Sequence, residues 1–96
     1  MDAGKGERVL MDGNVKHNLD AIFEEYERAV SLFSDFKSPH EGYAILLEEV
    51  DELWDEIKGN KKPGAHERMR DEAVQVGAMA LRFLVMLDEM EIEEES

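Results

Sequence analysis

Between residues 14 and 90 the apolar positions recur with a helical period, and nowhere do they alternate as a half-buried strand requires. The first stretch, about 14–33, sets Val15, Leu19, Ile22, Phe23, Tyr26, Val30 and Phe33 on one stripe, with Glu24, Glu27, Arg28 and Ser31 behind it. That pattern predicts an amphipathic helix with its apolar stripe turned inward. The second stretch opens on Ser38-Pro39-His40-Glu41. Ser38 can cap, Pro39 has the fixed φ that suits a first helical position, and Glu41 can complete a capping box. The helix then carries Tyr43, Leu46, Leu47, Val50, Leu53, Trp54 and Ile57 on one face and stops after Lys58 at Gly59-Asn60. Its opposite face is acidic, with Glu41, Glu49, Glu52 and Glu56 and only Ile45 among them. The turn at 58–64 has a length that joins antiparallel neighbours, so the second and third helices are predicted to form a hairpin.

The third helix, about 65–90, differs from the other two. Its apolar side chains occupy nearly the whole circumference, with Met69, Val76, Met79 and Phe83 on one side and Val74, Ala78, Leu81 and Val85 on the other. Two partner helices cannot cover such a cylinder, which implies that a second subunit supplies the missing cover. Ala73, Gly77 and Ala80 share a narrow face on which another backbone can approach, a packing seam in outline. Trp54, Tyr43 and Phe83, at helical spacing, are read as core residues. The expected organisation is a flexible arm over 1–13, one all-α domain over 14–90 and an acidic, fraying tail over 91–96. The fold class is an all-α, three-helix subunit, a helical hairpin plus an N-terminal helix, that completes its bundle by oligomerisation.

Composition narrows the function. The 96 residues allow one core and no separate regulatory module, and the absence of cysteine removes thiolate metal sites and disulfides. A net charge of −13 opposes binding to a nucleic-acid backbone. The longest apolar run, 74–87, is broken by Gln75 and Arg82 and is too short to span a bilayer, so no membrane role is expected. No apolar leader stands in 1–13, and a cytoplasmic location is expected. His17, His40 and His66 are scattered without ligand spacing and are read as surface residues, which argues against zinc.

The acidic residues carry the chemistry. Glu48-Glu49-Val50-Asp51-Glu52 lies on the second helix and Asp71-Glu72-Ala73-Val74-Gln75 on the third. In an antiparallel pair, residues at equal depth have position numbers of constant sum, which sets Glu52 against Glu72 and Glu49 against Gln75. Within each helix the members are one turn apart, so the four side chains form a two-level ring of oxygen donors. Carboxylates that close cannot all stay ionised without a counterion, and Mg²⁺ takes such ligands while keeping waters for a phosphate substrate. Glu72 shares its face with Val76, Met79 and Phe83, where a carboxylate calls for a metal or for an ion pair with Arg82 or a lysine. Lys58, Lys61, Lys62, Arg68 and Arg70 gather near the hairpin tip, and of these Lys58 and Lys61, together with Arg82, are candidate phosphate contacts.

The segment 41–57, followed by 69–83, resembles the MazG-like nucleoside triphosphate pyrophosphohydrolases, whose hallmark is E-x-x-E on one helix and E-x-x-D on the next. Glu49 and Glu52 match the first pair and Glu72 the first acid of the second, while Gln75 stands where that family has Asp. The resemblance covers about half the chain. It implies an all-α homodimer or dimer-built homotetramer that hydrolyses a nucleoside triphosphate between its α and β phosphates, giving the monophosphate and pyrophosphate. Metal ligands would be Glu49, Glu52, Glu72 and Gln75, the ion Mg²⁺ or Mn²⁺ in its place, and Glu49 or Glu52 would orient or deprotonate the attacking water. An amide at position 75 still ligates but removes one negative charge, with Asp71 and Glu48 beside it as substitutes. Two other readings stand: a MazG-like helical oligomerisation module that has lost catalysis, and a phosphoribosyl-ATP pyrophosphatase-like activity, whose neighbouring residues match less well.

Overall fold

The computed structural model describes residues 13–95, and the expected arm falls, apart from Gly13, outside the described residues. Three helices follow one another, α1 (Gly13–Leu32), α2 (Pro39–Lys58) and α3 (Ala65–Glu95). There is no strand among the described residues, and no helix is long and apolar enough to cross a membrane. The start of α2 forms from its own sequence. Ser38 has extended φ and ψ and its hydroxyl accepts the Glu41 amide at 3.1 Å, with Pro39 next to it. Glu41 reaches back one residue further than a capping box predicts, accepting the Lys37 amide at 2.6 Å.

The hairpin tip is also built locally. Gly59 donates to the Asp55 carbonyl at 3.1 Å as α2 ends, and Gly64, at φ +78°, turns the chain into α3 where a Cβ would be strained. Arg68 then ties the tip together, donating to Glu56 at 2.8 Å and to the Pro63 carbonyl at 2.9 Å. The backbone of α3 stays helical to Glu95, beyond the expected end at residue 90 and through most of the tail expected to fray.

Helix α3 is the element on which the others rest. Both α1 and α2 pack against it, and their backbones do not approach each other. The core where they meet is small: Ala29, Phe36, Ala78, Met79 and Met86, with Tyr26, Ile45, Leu46, Phe83 and Met90 against them. No large side chain in it is fully buried. The radius of gyration is 16.3 Å, against roughly 13 Å for a compact domain of this size.

This arrangement corrects several expectations about which faces turn inward. On α1 the buried edge runs through Ile22, Tyr26 and Ala29, while Val15, Leu19, Phe23 and Val30, and Phe33 just after the helix, are exposed. On α2 only Leu46 and Leu53 of the apolar face turn toward α3, and Tyr43, Leu47, Val50, Trp54 and Ile57 face solvent. Trp54 and Tyr43 are therefore surface residues, 55% and 61% exposed, and only Phe83 of the three expected aromatics joins the core. The physical reason is geometric: a helix resting on one neighbour buries one edge, and on α2 that edge includes part of the acidic face. The seam through Ala73, Gly77 and Ala80 is partly filled within the subunit, because Ile22 of α1 sits on Gly77.

Gly42 marks the closest approach of α2 to the core. A Cβ there would lie 2.7 Å from one carbon of the Phe83 ring and 2.9 Å from one of Phe36. Gly42→Ala is expected to destabilise the fold by about 1–3 kcal/mol in chemical denaturation, although alanine is favoured over glycine inside a helix by about 1 kcal/mol.

Candidate metal centre

The helical hairpin brings Glu49 and Glu52 of α2 to the same level as Glu72 of α3. One carboxylate oxygen from each lies within 4.8 Å of the other two. Glu49 and Glu72 are partly buried and Glu52 is exposed, so the cluster sits at the lip of the interface rather than beneath it. Glu72 is the inner member. Its Oε1 is cut off from solvent and meets no hydrogen-bond donor. No cation pairs with it among the described residues: Arg68 is taken by Glu56, and Arg82 donates to the Ser34 carbonyl at 2.8 Å.

The electrostatics follow from that placement. Burial, followed by the charges of Glu52 and Glu72, pushes the Glu49 carboxyl up to about 7. Burial, followed by the Glu52 charge, also raises Glu72. Both shifts have the sign expected where several carboxylates share one poorly solvated space. Without a cation, the cluster holds protons that ordinary carboxyls would have lost. The residues present fit a hard divalent cation: the donors are all carboxylate oxygens, and one of them has lost water without gaining a partner.

The cluster opens onto a cleft of about 760 Å³ that occupies the gap between α1 and α2, with α3 as its floor. Gln75 and Met79 continue the floor beyond Glu72, and Arg82 closes its far end. Gln75, expected opposite Glu49, comes near Glu25 of α1 and helps to lower that carboxyl. Glu25 is held in turn by Arg28, whose Nε donates to it at 2.9 Å. That hydrogen bond is the main reason the Glu25 carboxyl lies below the usual range, opposed by burial and reinforced by Gln75.

Arg82 is 7% exposed, lies over the Phe36 ring at 4.2 Å, and fixes the chain between α1 and α2 through Ser34. Lys58 and Lys61 are elsewhere. Neither lines the cleft, and Lys58 pairs with Asp55 at 3.3 Å and lies over Trp54. Arg68 and Arg70 of the same basic group are engaged as well, Arg70 donating to Asn18 of α1 at 2.6 Å. The three histidines are all exposed. Of the substitute ligands, Glu48 lines the cleft and Asp71 does not.

Sequence reasoning missed the contribution of α1. Glu25, Arg28, Ala29 and Leu32, at steps of three, four and seven, form the cleft's third wall. The spacing was visible, but it lies on the polar side of an apolar stripe, which reads as a solvated face. No protein-family model, curated protein or solved structure matches the chain.

A carboxyl raised on folding stabilises the folded state while it is protonated. That contribution is complete below the ordinary value of 4.5 and is lost as pH rises through about 7. Metal-free protein is therefore expected to lose thermal stability across this window, and Glu49→Gln is expected to flatten that part of the profile. Scanning calorimetry in the presence of a chelator checks both.

Proposed function

We propose that the chain is a Mg²⁺-dependent nucleoside triphosphate pyrophosphohydrolase of the MazG-like kind, working on the cytoplasmic nucleotide pool. The observation that carries this reading is the convergence of Glu49, Glu52 and Glu72 at the edge of a cleft large enough for a nucleotide, with one Glu72 oxygen lacking any partner. Glu49, Glu52 and Glu72 would hold the ion, with the Gln75 carbonyl within the same stretch of floor. Bound Mg²⁺ (or Mn²⁺) supplies neutralisation of the charge on the phosphate oxygens. Glu49 or Glu52 would take a proton from the attacking water or orient it, since both line the cleft beside the ion's place. Glu52, the most exposed of the three, faces the cleft and can orient that water. The walls of the cleft would exclude bulk water from the scissile anhydride.

The position of Gln75 favours a second reading, a MazG-like interaction module with weakened catalysis. Its amide supplies no negative charge to a cation and lies near Glu25. Under either reading a second copy of the chain completes the fold, as a homodimer or a dimer-built homotetramer. The support is the exposed stripe on α2, Tyr43, Leu47, Val50, Trp54 and Ile57, which advances in alternating steps of four and three as a helix–helix seam does. At about 100° per residue it lies on the edge of α2 opposite Glu48 and Glu52, so pairing there leaves the cleft open.

Purified protein with Mg²⁺ is expected to release pyrophosphate from at least one member of a panel of ordinary and damaged nucleoside triphosphates. Glu72→Ala is expected to reduce that release to background with the helical signal intact. Absence of both hydrolysis and calorimetric Mg²⁺ binding would leave the interaction module standing. Gln75→Asp should bind Mg²⁺ more tightly, because it restores a charge, while lowering the stability of the metal-free protein through repulsion with Glu25. Sedimentation at micromolar concentration tests the assembly: Trp54→Glu is expected to shift a dimer toward monomer, and a compact wild-type monomer would end the claim.

A further inference from the structure

We propose that Arg28 is a phosphate-binding residue, held ready by Glu25 on the wall of the cleft, and that it contacts the polyphosphate part of a metal-bound anion. This rests on the cleft's being the nucleotide site. The cleft is lined by Glu25, Glu41, Glu48, Glu49, Glu52 and Glu72, and a polyphosphate entering it meets repulsion everywhere except at a bound cation and at basic side chains. Arg28 and Arg82 are the basic residues among its lining.

Arg82 has little freedom to serve. It is buried, its Nη2 is committed to the Ser34 carbonyl, its Nη1 lies 3.5 Å from the Met79 sulfur, and its guanidinium carbon lies over the Phe36 ring. It has no carboxylate partner among the described residues, so its charge adds to the attraction for an anion at that end of the cleft. Arg28 is the opposite case. Its side chain is 54% exposed, whereas the carboxylate that holds it is 14% exposed. Glu25 receives Nε and Nη2, which fixes the guanidinium plane and leaves Nη1 available. A guanidinium so held presents a planar donor edge that matches phosphate oxygens. Gln75, near the same Glu25, lies between this wall and the floor beside Glu72. The third wall thus brings a cation to the side of the cleft across from the α2 carboxylates.

An ordinary ion pair one turn apart on a helix would look similar but would matter only slightly to stability and not at all to anion binding. Inorganic tripolyphosphate, titrated in the presence of Mg²⁺ and followed by calorimetry, separates the two. Arg28→Gln keeps part of the aliphatic stem and removes the charge. It is expected to weaken tripolyphosphate binding by roughly 10- to 100-fold, the effect of one lost charge-assisted hydrogen bond. Arg28→Lys should restore part of the affinity, and Mg²⁺ binding without polyphosphate should not weaken in either variant. Equal tripolyphosphate affinity in wild type and Arg28→Gln would overturn the assignment, as would wild-type protein that binds no tripolyphosphate. Wild-type protein that binds it in an Arg28-dependent way yet hydrolyses no triphosphate would sink the enzymatic reading while upholding Arg28.

Discussion

Two helices rest on a third without their backbones approaching each other, and most of what is distinctive in this molecule follows from that constraint. The gap between α1 and α2 becomes a cleft on one side of α3, floored by Glu72, Gln75, Met79 and Arg82. The outer edges of α1 and α2 are left uncovered among the described residues, with Phe23, Leu47 and Trp54 exposed. The core between them is made from alanine and methionine with one phenylalanine, side chains that fit close helix crossings without filling a wide interior. Such a core is sparse, so the chain by itself holds little apolar area out of water.

Placing the acidic cluster in this setting costs stability. Glu49 and Glu72 lose water, repel each other and Glu52, and gain no basic partner. An arginine or lysine opposite Glu72 would relieve that cost and would also occupy the space between the carboxylates. Instead the basic residues are engaged elsewhere, Arg68 at the hairpin tip, Arg82 with the loop before α2, and Arg28 with Glu25. A cluster of like charges left without a cation, beside a large cleft, has the arrangement expected where function, rather than folding, sets the residues.

The contribution of α1 changes how the floor is understood. Considered with α2 and α3 alone, Gln75 is a missing charge. With α1 in place, a carboxylate stands against that amide after all, supplied by Glu25 from another helix and partnered by Arg28. A carboxylate is thus present near position 75, but joined to a guanidinium rather than added to the cluster of Glu49, Glu52 and Glu72.

The sequence by itself determined the local structure. Ser38-Pro39 fixed the start of α2, Gly59 its end, and the 3.6-residue period the helical identity of all three segments, because caps, turns and propensity act between residues a few positions apart. The register of a tight antiparallel hairpin is local in the same sense, which is why Glu49, Glu52 and Glu72 were legible as a group. Which edge of each helix turned inward was decided only by tertiary packing. Apolar stripes on α1 and α2 mark surface to be covered but do not say by what, and one central helix can take only one edge of each. The same packing brought Glu25 and Arg28 to the cleft and set Arg82 into the core, since long-range placement depends on where whole helices cross and not on the residues beside them.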